Sequence, residues 1–348
     1  MGAKLAFGMV GAGRIAHTYA QAFEQCDNAR LVAVADTRSE AARALAEGFG
    51  CQPYDTYQRM VAHTALDAVV VCTPPASHAE ICRYFLQQQI HVLCEKPLSV
   101  DLASARALVE LAREAGVYLT MASKFRYVED VVRAKSIVMS GVLGDIILFE
   151  NAFTSRIDMG ARWNAQAQVS GGGVLIDNGT HSVDLVRYFL GPIAEVQVVE
   201  GKRHQGLAVE ETVRVFVRSV SGVIGNIDLS WSINKELDNY ISIYGSHGTV
   251  YVGWQESKFR QSTSRDWVVF GKGYDKIQAF CMQLTNFSSA IRGEDRLRIT
   301  AEDAIASVEV IEAAYAALRR NHWTTVENRP GNYQDVNGSC ELVVGMTQ

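Results

Sequence analysis

The first 122 residues alternate apolar strands with amphipathic helices, and this alternation restricts the fold more than any other feature of the chain. The strand runs are LAFGMV (5–10), LVAVAD (31–36), DAVVVCTPP (67–75), IHVLCEKP (90–97) and VYLTMA (117–122). Between them RIAHTYAQAFEQC, SEAARALAEGFG, HAEICRYFLQQQ and LASARALVELAREAG carry helical spacing, with Ser39 expected as an N-cap. Strands apolar on both faces need cover on both faces, so the pattern predicts a parallel sheet wound on each side by helices.

Beyond residue 123 the rhythm changes. The helical stretch VEDVVRAKSIVMSG leads to a long strand, DIILFENAFTSR, and from 193 to 270 the chain reads as strands. Several of these alternate apolar with polar residues, the mark of an antiparallel sheet with one covered face. Two helices, near 276–292 and 301–320, close the pattern. The expected class is α/β: an N-terminal Rossmann domain (1–122) with a doubly wound parallel sheet, then a C-terminal α/β domain (123–328) with a large, mostly antiparallel open sheet. The last helices are expected to pack back on the first domain. A tail, 329–348, has weak periodicity.

A length of 348 residues suits two domains. A net charge of -5 argues against a nucleic-acid partner, which needs a basic face. No apolar run approaches the ~18 residues of a membrane span, and because MGAKLAFGMVGAG leads directly into a strand and glycine turn, no secretory leader is expected. Ala6 stands where a myristoylation motif wants Ser or Thr. The seven cysteines, Cys26, Cys51, Cys72, Cys82, Cys94, Cys281 and Cys340, include no C-x-x-C pair. They are expected as reduced thiols of a cytoplasmic protein, and no ligand spacing supports a metal.

Two segments carry chemistry. Gly11-x-Gly13-x-x-Ala16 follows the first strand and opens a helix. Gly11 permits the tight turn, Gly13 lets backbone approach a pyrophosphate, and the helix N-terminus supplies free N–H groups. Asp36 ends the second strand, twenty residues beyond Ala16, where an acid binds ribose hydroxyls. It favours NAD over NADP, although Arg38 keeps NADP as an alternative. The second segment is GGGVLIDNGTHSVD (171–184), which sets Asp177, His181 and Asp184 at i, i+4 and i+7 on one helix face. Alcohol oxidation needs a hydride acceptor, a base and a donor for developing oxyanion charge. Here His181 can be the base, while Asp177 binds a substrate hydroxyl or holds the imidazole tautomer. The three glycines let backbone pass close to a ligand. Asp184 is expected to be structural.

With CTPPASHAE (72–80) and CEKPLS (94–99) between these segments, the chain resembles the Gfo/Idh/MocA oxidoreductases over about residues 3–325. The resemblance implies that Gly11, Gly13, Arg14 and Ile15 form the pyrophosphate turn, with Asp36 and Arg38 at the adenosine. It implies Thr73 and Pro74 beside the nicotinamide, His78 next to the cofactor or capping its helix, and Glu95 at the nicotinamide ribose. Lys96 would face the reacting carbon, and Asp177 and His181 would close the site. Pro75 and Asn178 depart from the usual pattern. Arg126, Arg162, Trp163, Asn164 and Asn178 are expected at the substrate; for the 162–164 loop a solvated surface is the alternative. The implied activity is NAD(P)-dependent oxidation of a sugar, sugar derivative or inositol, in a homodimer or homotetramer formed through the C-terminal sheet. The alternatives are a non-catalytic NAD(P)-binding regulator, or an enzyme that recycles tightly held NAD.

Overall fold

The computed structural model describes residues 3–327. The expected tail and Cys340 lie outside the described residues.

The first domain runs β1 (Leu5–Val10), α1 (Arg14–Gln25), β2 (Ala29–Ala35), α2 (Ser39–Phe49), β3 (Gln52–Tyr54), α3 (Tyr57–His63), β4 (Ala68–Val71), α4 (His78–Gln87), β5 (His91–Glu95), α5 (Leu102–Ala115) and β6 (Leu119–Ala122). All six strands are parallel, in the order β3-β2-β1-β4-β5-β6. That is the doubly wound arrangement, whose strand order reverses beside β1 and leaves a crevice at the strands' carboxyl ends. The short β3 and α3 add to the expected pattern; QPY is too brief to read as a strand from sequence. Ser39 is the first helical residue of α2 rather than its cap; Arg38 occupies that position and makes no side-chain cap bond.

The second domain runs α6 (Glu129–Met139), β7 (Ile146–Thr154), α7 (Ala167–Ser170), α8 (Val174–Leu190), β8 (Ile193–Glu200), β9 (Thr212–Ser219), β10 (Ile224–Ser230), β11 (Asn239–Gly245), β12 (Gly248–Gly253), β13 (Ser257–Gln261), β14 (Val268–Gly271), α9 (Lys276–Ile291), α10 (Ala301–Arg320) and β15 (Thr324–Thr325). Its nine strands order as β14-β13-β12-β11-β7-β10-β9-β8-β15, and only the β7–β10 pair is parallel. Alternation along β9 buries Val213, Val215 and Val217 and exposes Arg214 and Arg218. One face thus packs a core with α8, including Leu175, Val186 and Ile227. The other face leaves Val199 and Ile224 about half exposed.

The two C-terminal helices serve the first domain as much as the second. Phe280, Leu284 and Phe287 of α9 are buried in the cluster formed by Phe7, Tyr19 and Phe23. Burial of side chains this size contributes roughly 1.5–3 kcal/mol each, enough to hold α9 on the Rossmann sheet. Ala304 and Val308 of α10 join the core on the opposite side of that sheet. Helix α10 starts with a capping box, in which Thr300 and Asp303 satisfy each other's backbone N–H groups.

Candidate active site

The glycine turn follows from steric demand. Gly11 has φ +98°, and a Cβ there would stand 2.8 Å from the carbonyl oxygen of Cys72. Gly13 is the N-cap of α1 without a side-chain cap bond, and a Cβ added to it would meet nothing within 4 Å. Open space therefore lies in front of unpaired helix N–H groups, which is what a phosphate requires. Asp36 is drawn toward this turn: its carboxylate accepts from Ala12 N at 2.7 Å and Arg38 N at 2.8 Å. The groove over these residues has a volume of about 1030 Å³. Gly11, Gly13, Arg14, Ile15, Asp36, Arg38, Thr73 and Pro74 all border it. Arg162, Trp163 and Asn164 arch over it from the second domain, and Lys276 approaches from α9. Free N–H groups with a backbone-held acid beside them fit a dinucleotide's pyrophosphate and adjoining ribose.

A second cavity, about 460 Å³, adjoins the groove; Thr73, Trp163 and Asn164 border both. Glu95, Lys96, Asp177, Asn178 and His181 meet there, with Lys124, Phe125, Phe153 and Trp254. Lys96 follows the last residue of β5, while Asp177 and His181 come from the first two turns of α8. Lys96 Nζ donates to the Asp177 carbonyl at 2.8 Å and also to its carboxylate. Asn164 Nδ2 donates weakly to the other carboxylate oxygen, at 3.4 Å. His181 is buried, edge-on to Phe125 at 5.1 Å, and its Nδ1 has no partner among the described residues. Burial, reinforced by the charges of Lys96 and Lys124, holds its pKa well below 6.5, so it is a neutral imidazole at neutral pH. Glu95 is buried and accepts from Tyr19 Oη at 3.0 Å; desolvation raises its pKa, against the pull of Lys96 and Lys124.

Several expectations need correction. Asp177 makes no hydrogen bond to His181; it is committed to Lys96. The three glycines answer to protein packing rather than to a ligand. A Cβ on Gly172 would fall 1.9 Å from Tyr315 Oη, and one on Gly173 would fall 2.0 Å from the carbonyl oxygen of Glu210. The close approach lets the buried Glu210 carboxylate accept from Gly173 N at 2.9 Å, Leu175 N at 3.1 Å and Tyr315 Oη at 2.8 Å. A carboxylate thereby caps the N-terminus of the helix that carries Asp177 and His181. Arg126 does not reach the cavity. It is buried in ion pairs with Asp184 at 2.7 Å and Asp303 at 3.1 Å, which pins α8 to α10 and makes Asp184 structural. His78 is also sealed in, its ring nitrogens 2.7 Å from Pro97 O and 2.8 Å from Thr73 O. It braces the two loops that carry Lys96 and Thr73 instead of touching a cofactor. Arg162 borders the dinucleotide groove, not the inner cavity.

Sequence reasoning missed Lys124, Phe125, Phe153, Trp254, Lys276, Glu210 and Tyr315. Lys124 had a usable signal, since it lies just past the carboxyl end of β6, where such sheets bind ligands. Trp254 had none: it follows β12, more than seventy residues after His181, and only the sheet brings it over the cavity. No group of three or more His, Cys, Asp or Glu among the described residues could hold a metal ion. No described helix is long and apolar enough to cross a membrane.

Comparison with known proteins agrees with this architecture. Residues 5–123 match the oxidoreductase family with an NAD-binding Rossmann fold, and residues 131–251 match the GFO/IDH/MocA C-terminal domain. An inositol 2-dehydrogenase of Rhizobium meliloti is 27% identical over 90% of this chain and 96% of its own length. A myo-inositol 2-dehydrogenase of Thermotoga maritima is 30% identical over 70% of this chain and 74% of its own. Among solved structures, GenD2 from gentamicin A biosynthesis, in complex with NAD, superposes with a TM-score of 0.83 at 27% identity, covering 93% of this chain and 97% of that one.

Proposed function

Because the chain belongs to the Gfo/Idh/MocA family of NAD-binding oxidoreductases, we propose that it transfers a hydride between nicotinamide and a secondary alcohol or ketone of a sugar, sugar derivative or inositol. The observation that carries this reading is the meeting of Lys96, Asp177 and His181 in one cavity beside the dinucleotide groove. Gly11, Gly13, Arg14, Ile15 and Asp36 would hold the NAD, with Thr73, Pro74 and Glu95 toward its nicotinamide end. NAD in that groove supplies the hydride acceptor. His181, neutral and buried, takes the hydroxyl proton. Lys96 presents an ammonium to the oxygen as negative charge develops, and Asp177 orients that ammonium. Trp163, Asn164 and Asn178 border the substrate.

The dehydrogenase names of the relatives and the NAD complex of GenD2 support a polyol substrate and NAD. Asp36 supports NAD over NADP, because its charge repels a 2′-phosphate. We take 1–122 as the cofactor domain and 123–328 as the substrate domain. The chain works in the cytoplasm as a homo-oligomer, with Val199 and Ile224 on the sheet face that a second copy covers.

The test is nicotinamide absorbance change, with NAD and NADP, against free sugars, methyl glycosides, uronic acids and inositols. Turnover of at least one polyol with NAD is expected. NAD binding with no turnover of any polyol overturns the enzyme reading in favour of a regulator. Cofactor that stays bound through purification points to recycled NAD. A single-chain mass by light scattering overturns the oligomer.

A further inference from the structure

Lys124 stands apart among the charged groups of the inner cavity. It begins the short 3₁₀ turn after β6 and is partly buried. Lys96, across the cavity, has its ammonium committed to Asp177. The Lys124 ammonium has no hydrogen-bond acceptor among the described residues. It lies over two ring faces, Phe125 at 5.3 Å and Phe280 at 5.7 Å. An ammonium carries three donors, and no group among the described residues takes those of Lys124, so they are left to whatever fills the cavity. This group borders the same 460 Å³ space as Lys96, Asp177 and His181, so an oxygen of a ligand held by those three lies within its reach.

We propose that Lys124 binds the substrate directly: its ammonium donates to an oxygen on the carbon next to the one oxidised, so the site selects vicinal diols over isolated secondary alcohols. This rests on the oxidoreductase reading above. Lys96 and His181 take the reacting hydroxyl, and Lys124 takes its neighbour. The charged and titratable groups facing Lys124 are Glu95 and Lys96 from the β5 end, Asp177 and His181 from α8, and Lys276 from α9. Desolvation lowers its pKa to about 8, against the attraction of Glu95, so its donor strength changes within the working pH range.

The experiment uses whichever polyol the wild type oxidises, together with the analogue that lacks the adjacent hydroxyl. Lys124→Met keeps the apolar stem and removes the donors. On the diol it should lower kcat/KM by about 10- to 100-fold, as loss of a charged hydrogen bond does. On the deoxy analogue wild type and Lys124→Met should differ by less than about threefold, because the partner is already gone. NADH affinity, read by fluorescence, should be unchanged, and Lys124→Arg should recover part of the loss. For the wild type, KM on the diol should rise above about pH 8; for Lys124→Met it should stay flat there. Equal losses on diol and deoxy substrate overturn the proposal, as does a loss confined to NADH affinity. Wild-type turnover with an unimpaired Lys124→Met overturns it while leaving the oxidoreductase reading intact. No turnover of any polyol by the wild type overturns both.

Discussion

Lys96 Nζ, carried at the end of β5, donates to the backbone carbonyl of Asp177 on α8 at 2.8 Å and to the same residue's carboxylate. The two side chains are 14% and 22% exposed, so the bond is largely shielded from water. One lysine thus ties the carboxyl edge of the parallel sheet to the helix of the second domain, where groove and inner cavity meet. Asp177, by taking Lys96, leaves His181 without a carboxylate partner, and burial, with the charges of Lys96 and Lys124, keeps the imidazole neutral.

If these residues act on one hydroxyl, Lys96→Met and His181→Ala each lower kcat/KM by roughly 10²-fold or more. Asp177→Asn removes the charge that orients Lys96 and should fall close to Lys96→Met. The double substitution of Lys96 and His181 should lose much less than the product of the single losses, since the pair works as a unit. NAD affinity, measured by fluorescence, should survive His181→Ala. Steady-state kinetics on an identified polyol decide it; a fully active His181→Ala removes the base.

The pH dependence has a definite sign. His181 is held well below its ordinary 6.5 by burial first and by Lys96 and Lys124 next. Between its folded value and 6.5 the unfolded chain binds the extra proton, so His181 costs stability as pH falls through that window and nothing above it. The melting temperature of wild type minus that of His181→Asn should therefore decrease from pH 7.5 to pH 5.5. Buried carboxylates common to both proteins cancel in the difference. The acid limb of kcat/KM should likewise lie below 6.5, and a limb above 7 would contradict a neutral base.

Gly173→Ala should destabilise the fold by more than the roughly 1–3 kcal/mol typical of overpacking, because the added carbon meets backbone at 2.0 Å. Gly172→Ala meets the Tyr315 hydroxyl, so Tyr315→Phe should recover part of its loss. Denaturant melts of the two single variants and the Gly172/Tyr315 double variant check this. An additive double variant would show that the hydroxyl is not the obstacle.

Asp36→Ser should raise NADP use relative to NAD by removing a charge from the 2′-phosphate position. It should also weaken both cofactors several-fold, because the Asp36 carboxylate holds the Ala12 and Arg38 amides. Dissociation constants for NADH and NADPH separate the two effects. A native preference for NADP would overturn the first.

Local pattern alone determined much of this protein. The doubly wound sheet follows from β1, β2, β4 and β5, whose largely apolar runs are buried on both faces. The turn at Gly11 and Gly13 and the acid at Asp36 follow from spacing, because strand, turn and helix are contiguous. The shared face of Asp177 and His181 follows from helical period. Tertiary structure decided what such periods cannot carry. Asp177 faces Lys96, eighty-one residues earlier, rather than the histidine one turn away. Arg126, which the pattern offered to the substrate, is claimed by Asp184 and Asp303. The glycines before α8 make room for Glu210 and Tyr315, thirty-seven or more residues later. Trp254 reaches the cavity only because β12 packs where it does. Periodicity reports which face of an element turns inward, but the partner on that face is chosen by packing and by the cost of leaving a buried charge unpaired. Both are settled between residues far apart in the chain.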